Sequence, residues 1–186
     1  MSRAFLYATA AVAVSFALSS CADGGKSFAG SGGSEMNMQE AANRADSILD
    51  DTFSQVHPAV RWTHGPTTTG SCDVTRRRAV MTIVSAQRRG SFLGVVDRSW
   101  RNSGYRMKSI NSDPDVPAMF AQTKDGFGVS LIVGGEGQVF FEVDSPCVEE
   151  SEVAESTTKA TAPTYEGMEH IPRPNIRSPF WSAGAP

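Results

Sequence analysis

Histidine, cysteine, tyrosine and tryptophan are scarce in this chain, three of each among 186 residues. His57, His64 and His170 are scattered, without the spacing that brings two imidazoles to one metal ion. No Cys-x-x-Cys occurs, so neither a zinc ribbon nor a dithiol redox site is expected. His-Glu-x-x-His, Gly-x-Ser-x-Gly and the phosphate-binding loop are also missing. The glycines between 126 and 137 sit in hairpin turns rather than between a strand and a helix, so they form no nucleotide cradle. No catalytic residue, metal or cofactor is assigned. Charge of one sign is lacking too. The formal net charge is −3, far from the broad basic field that displaces counterions from nucleic acid. What unevenness exists is a mildly basic middle, residues 72–147, between two acidic flanks.

A long apolar run is the last absence. Ala4 to Leu18 spans 15 residues, a helical rise of roughly 22 Å against the ~30 Å hydrocarbon core of a bilayer. With Arg3 before it and no acid in the first twenty residues, it reads as a signal peptide, residues 1–20, rather than a span. The sequence Leu18-Ser19-Ser20-Cys21 resembles a bacterial lipobox. That resemblance implies a diacylglyceryl group on the thiol of Cys21 and cleavage just before it. Two acyl chains anchor stably where one does not, at ~0.8 kcal/mol per buried CH₂. The alternative is an ordinary secretory leader with a fortuitous cysteine. Residues 21–37 follow as a Gly/Ser tether with a reach of ~20 Å.

Residues 38–147 read as a folded α+β domain. Met38, Ala41, Ala45, Ile48, Leu49, Thr52, Phe53 and Val56 form one helical stripe, ended by His57-Pro58. Residues 61–71 read as loop or irregular edge. Cys72 to Ser85 reads as a strand. Ser91 is expected to cap a second helix with the stripe Phe92, Leu93, Val96 and Trp100, closed by Gly104. Strands follow at Tyr105–Ile110, Met119–Thr123, Phe127–Val133 and Gln138–Val143, linked by Asp-Gly and Gly-rich turns. The order α-β-α-β-β-β-β predicts an antiparallel sheet of about four to five strands, with two helices on one face and the other face open.

Once Cys21 is assigned to lipid, Cys72 and Cys147 remain. In an exported chain an even pair reads as a disulfide, able to stabilise by about 4 kcal/mol through loop closure. A metal site or a catalytic thiol would need companions that neither cysteine has nearby in sequence. Arg76, Arg77 and Arg78, with Arg88 and Arg89, are the one concentration of charge. On a strand Arg76 and Arg78 face one way and Arg77 the other. The functional reading is contact with anionic headgroups; the alternative is a solvated sheet edge that resists edge-to-edge pairing.

Residues 148–186 read as a disordered, acidic, Pro-rich tail. Ser156-Thr157-Thr158-Lys159 has the Ser-x-x-Lys spacing of penicillin-binding enzymes, but its companion Ser-Asp-Asn and Lys-Thr-Gly motifs are missing. Phe180 and Trp181 near the end suggest a docking peptide for a partner, or a segment that folds back on its own domain.

The lipobox leader, the tether, the element order and the cysteine pair together resemble small lipoproteins of actinobacterial cell envelopes. The segments Trp62–Cys72 and Asp125–Leu131 carry most of the likeness, which covers about residues 1–150. The resemblance implies an extracytoplasmic, membrane-anchored location and this fold, and transfers no functional residue. The expected function is non-enzymatic binding, as an accessory to an envelope sensor or transport protein. Two other readings are a carrier holding an apolar ligand between sheet and helices, and an envelope hydrolase.

Overall fold

A computed structural model describes residues 36–163, 165 and 171–186. The leader, Cys21 and the tether as far as residue 35 lie outside the described residues, as does His170.

Helix α1, Met38–Ser54, starts on a capping box. The Asn37 side chain accepts from the Glu40 backbone N–H, and the Glu40 carboxylate accepts from that of Asn37, satisfying two donors the helix leaves unpaired. Helix α2, Ala86–Asn102, is capped by Ser85 rather than Ser91. Ala86 to Arg89 are good helix formers, and they carry the helix back through Gly90 despite its cost of about 1 kcal/mol relative to alanine. Gly104, at φ 78°, ends α2 as expected.

The seven strands are β1 Trp62–His64, β2 Thr68–Thr69, β3 Val74–Val80, β4 Arg106–Asn111, β5 Ala118–Gln122, β6 Gly128–Val133 and β7 Val139–Asp144. They form one antiparallel sheet in the order β1-β3-β7-β6-β5-β4, with β2 also paired to β3. The expected four to five strands become seven because residues 61–71, read as loop or irregular edge, include two short strands at 62–64 and 68–69. Periodicity cannot reveal strands of two or three residues. β3 is also shorter than the expected 72–85. Beyond Val80 the chain leaves the sheet, and the Ile83 N–H donates to the carbonyl of Ile176.

Both helices pack on one face. Val129, Leu131 and Val133 stand beside Val143, Phe141 and Val139 in register, all at most 3% exposed. Phe53 from α1 and Phe92 from α2 each meet Phe141, at ring separations of 4.8 and 6.2 Å. The Trp100 indole donates to Thr52 Oγ1 at 3.1 Å, tying the helices together. Each such buried side chain contributes about 1.5–3 kcal/mol.

Cys72 and Cys147 are disulfide-bonded, with Cα atoms 4.8 Å apart and a sequence separation of 75. The bond closes a loop that contains α2 and most of the sheet. Replacing both cysteines by serine is expected to cost about 2–4 kcal/mol. A urea midpoint unchanged from wild type would contradict this.

The tail requires correction. Its described residues lie along the domain rather than free of it. Val148 and Val153 pack against the core, and Ala162 and Trp181 are buried. Glu149 bonds to Met36 and Met38, Thr161 and Ala162 to the Trp62 carbonyl, and Asn175 and Ile176 to the Met81 carbonyl. The segment lacks periodicity because it builds no layer of its own. It borrows the domain's core and unpaired backbone groups, so its composition does not report its order.

Candidate functional site

The five arginines expected at headgroups are all engaged with other groups of the protein, and two of them are buried. Alternation along β3 turns Arg76 and Arg78 toward α1 and Arg77 to the other face, as its register with β7 requires. Arg76 and Arg78 are 2% and 1% exposed. Arg78 Nη1 lies 2.7 Å from Asp50 Oδ1 and Nη2 lies 3.7 Å from Asp46 Oδ1, while Arg76 Nε lies 3.3 Å from Asp46 Oδ2. Several of these contacts are close without being aligned as hydrogen bonds: among the described residues, Arg76 Nε, Arg78 Nη1 and Asp46 Oδ1 have no hydrogen-bond partner. The Arg78 guanidinium also sits 3.9 Å from the centroid of the Trp62 ring. Burial pulls the Arg78 pKa below its ordinary value, and Asp50 and Asp46 push back. The headgroup reading is therefore corrected for Arg76 and Arg78. A strand against a helix buries every second side chain, and these two are met there by α1 carboxylates.

Arg77 bonds to Glu142. Arg88 lies over the Phe180 ring at 4.3 Å, and Arg89 donates to the carbonyls of Pro114 and Asp115. Trp181 is 1% exposed against Phe92, so its docking partner here is its own domain, while Phe180 remains 38% exposed.

On the sheet face away from the helices lies a shallow groove of about 270 Å3. The register builds it. Ser130 on β6 is the floor, with Phe120 of β5 on one side and Glu142 of β7 on the other. Lys108, Gln122 and Ile132 are also among its lining residues. Phe120 is 38% exposed. Arg77 holds Glu142, and the Thr75 hydroxyl holds Asp144 at 2.7 Å. The groove thus offers one aromatic ring, an ammonium, an amide and oriented carboxylates. That combination suits recognition of a mixed polar and apolar surface. The sequence reading placed an open face here without naming these residues. Their signal is the polar half of the alternation: Phe120 is out of phase with Met119 and Ala121, and Ser130 and Glu142 with their apolar neighbours.

The remaining residues do not assemble with the groove. His64 Nε2 lies 2.7 Å from the Thr158 carbonyl, and its ring meets Trp62 edge-on. Ser156 Oγ accepts from the Thr158 N–H in non-helical chain, so no helical turn carries Lys159 to Ser156. Among the described residues, no three His, Cys, Asp or Glu gather as a metal site. No described helix is long and apolar enough to cross a membrane.

Fold and groove together define an α+β domain with an open sheet face. No protein-family model matches the chain, and no curated protein sequence matches it. Among solved structures it is similar to a DUF4853 family protein from Actinomyces odontolyticus, at 12% identity and a TM-score of 0.35, over 67% of this chain and 72% of that one.

Proposed function

We propose that this chain is an extracytoplasmic lipoprotein, held by a diacylglyceryl group on Cys21, that acts by binding a protein partner through the open sheet face. The Cys72–Cys147 disulfide supports the outside location, because such bonds persist in oxidising compartments. The binding role is supported by the groove at Phe120, a partly exposed aromatic that shares its face with Ile132 and with the polar Ser130 and Glu142; interface anchors are enriched in such residues. A carrier needs an empty interior, and here Phe92, Trp100, Phe127, Phe141 and Trp181 fill that space. A hydrolase needs a nucleophile beside a base, whereas His64 lies against Thr158 rather than in the groove.

One experiment in cells tests both parts. With Cys21→Ala, the protein is expected to stay unprocessed or to be released from the membrane fraction. Normal cleavage and retention would sink the anchor. A photo-reactive phenylalanine at position 120 is expected to crosslink a protein that the same probe at exposed Asp51 does not reach. Equal products from both sites, or none from 120, would sink the groove reading.

A further inference from the structure

The C-terminal segment is bound to the domain in the manner of a peptide ligand. Residues 171–186 contribute no strand to the sheet. They run beside Met81–Ser85, the stretch that has left β3, and make a parallel bridge from Ile176 to Thr82. The Ile83 N–H donates to Ile176 and the Ser85 N–H to Trp181, while Asn175 and Ile176 donate to Met81. The Ser182 hydroxyl donates to the Ile83 carbonyl at 2.7 Å, and the Ser85 hydroxyl to the Ala183 carbonyl at 2.7 Å. Trp181 is the anchor. Its ring meets Phe92 at 5.3 Å in a T-shaped contact, and its indole N–H donates to the Pro58 carbonyl at 2.5 Å. Main-chain bonds along an extended segment plus one side chain in a pocket is a recurring mode of peptide recognition.

The segment also shapes itself. The Ser178 N–H donates to Ser182 Oγ, the Trp181 N–H to Ser178 Oγ, and the Ser182 N–H to the Ser178 carbonyl. These bonds close a turn that carries Trp181, and a turn closed within the segment lowers the ordering cost of binding.

We infer that the groove formed by Pro58, Met81–Ser85 and the start of α2 is a peptide-docking surface, filled here by the chain's own C-terminal segment and open to the same segment of a second copy. Exchange needs no new contact, since every copy carries both halves; this is the logic of domain swapping. The segment in the same chain holds the advantage of effective concentration, on the millimolar scale for short linkers. Copies crowded together can approach that concentration.

The test uses a fluorescent peptide of residues 171–186 and the full chain carrying Trp181→Ala, whose own anchor is gone. The peptide is expected to bind that chain. A peptide with Trp181→Ala should bind roughly a hundredfold more weakly, as loss of an anchoring tryptophan does. The wild-type chain should bind the peptide more weakly than the variant, because its own segment competes. A mixture of differently tagged wild-type and Trp181→Ala chains should yield a mixed dimer at high concentration. Should Trp181→Ala fail to fold, Trp181→Phe serves in the same assays, keeping a ring and losing only the donor to Pro58. A folded variant that shows no tryptophan-dependent peptide binding would overturn the docking surface. A mixture that stays monomeric while the peptide binds would overturn exchange between copies. Neither readout involves Cys21 or Phe120, so failure here is distinct from failure of the lipoprotein reading.

Discussion

Trp181→Ala is expected to destabilise the domain by about 3–5 kcal/mol, the usual range for emptying a buried aromatic site. The residue is 1% exposed, lies edge-to-face with Phe92 and donates to Pro58. The truncation removes ring contacts and leaves the Pro58 carbonyl without that donor. For a domain of this size the thermal midpoint should fall by roughly 10 °C or more. Its neighbour supplies the control. Phe180 is 38% exposed, so Phe180→Ala should cost about 1 kcal/mol or less. Thermal melts of the two variants compare adjacent aromatic residues in one segment. Equal effects would show that the C-terminal segment is not seated on the domain as described.

Arg78→Ala should lose a similar amount, about 3–5 kcal/mol, for a different reason. Removing Arg78 empties a fully buried site and takes one of two cations from buried Asp46. Asp46, 7% exposed, would keep only Arg76, and Trp62 would lose the cation on its face. Arg77→Ala, one residue earlier, removes a half-buried pair with Glu142 and should cost no more than ~1 kcal/mol. Urea denaturation of the two variants reads the face alternation of β3 directly. A large loss for Arg77 and a small one for Arg78 would place the strand the other way round. The buried pairs also have a structural consequence. Arg76 and Arg78 both reach Asp46, which ties α1 to β3 at two points.

Several features were legible in the residues alone because their signals are local. The α1 stripe depends on spacing within one helix, and its start at Met38 was read correctly. The last three strands and their Asp-Gly and Gly-rich turns follow from alternation and from glycine's tolerance of positive φ, seen at Gly126 and Gly137. The cysteine pair rested on parity and on the expected compartment, and the bond is present.

Other features were not legible, and the reasons are physical. The short strands β1 and β2 exist only because β3 offers them partners. The cap of α2 moved to Ser85 because that residue is fixed from outside, by Trp181 and Ala183. Three consecutive arginines look like a surface feature until α1 places Asp46 and Asp50 over two of them.

The sequence by itself determined the α+β class, the two helices, the central hairpins, the cysteine pairing and the expectation that Cys21 is lipidated. Each depends on residues near one another in the chain or on counting. Tertiary structure alone decided the number of strands, the burial of Arg76 and Arg78, the groove at Phe120 and the docking of the C-terminal segment. Those depend on which elements pair and pack, not on the pattern within any one of them, and a segment that borrows another element's core carries no periodicity of its own to announce it.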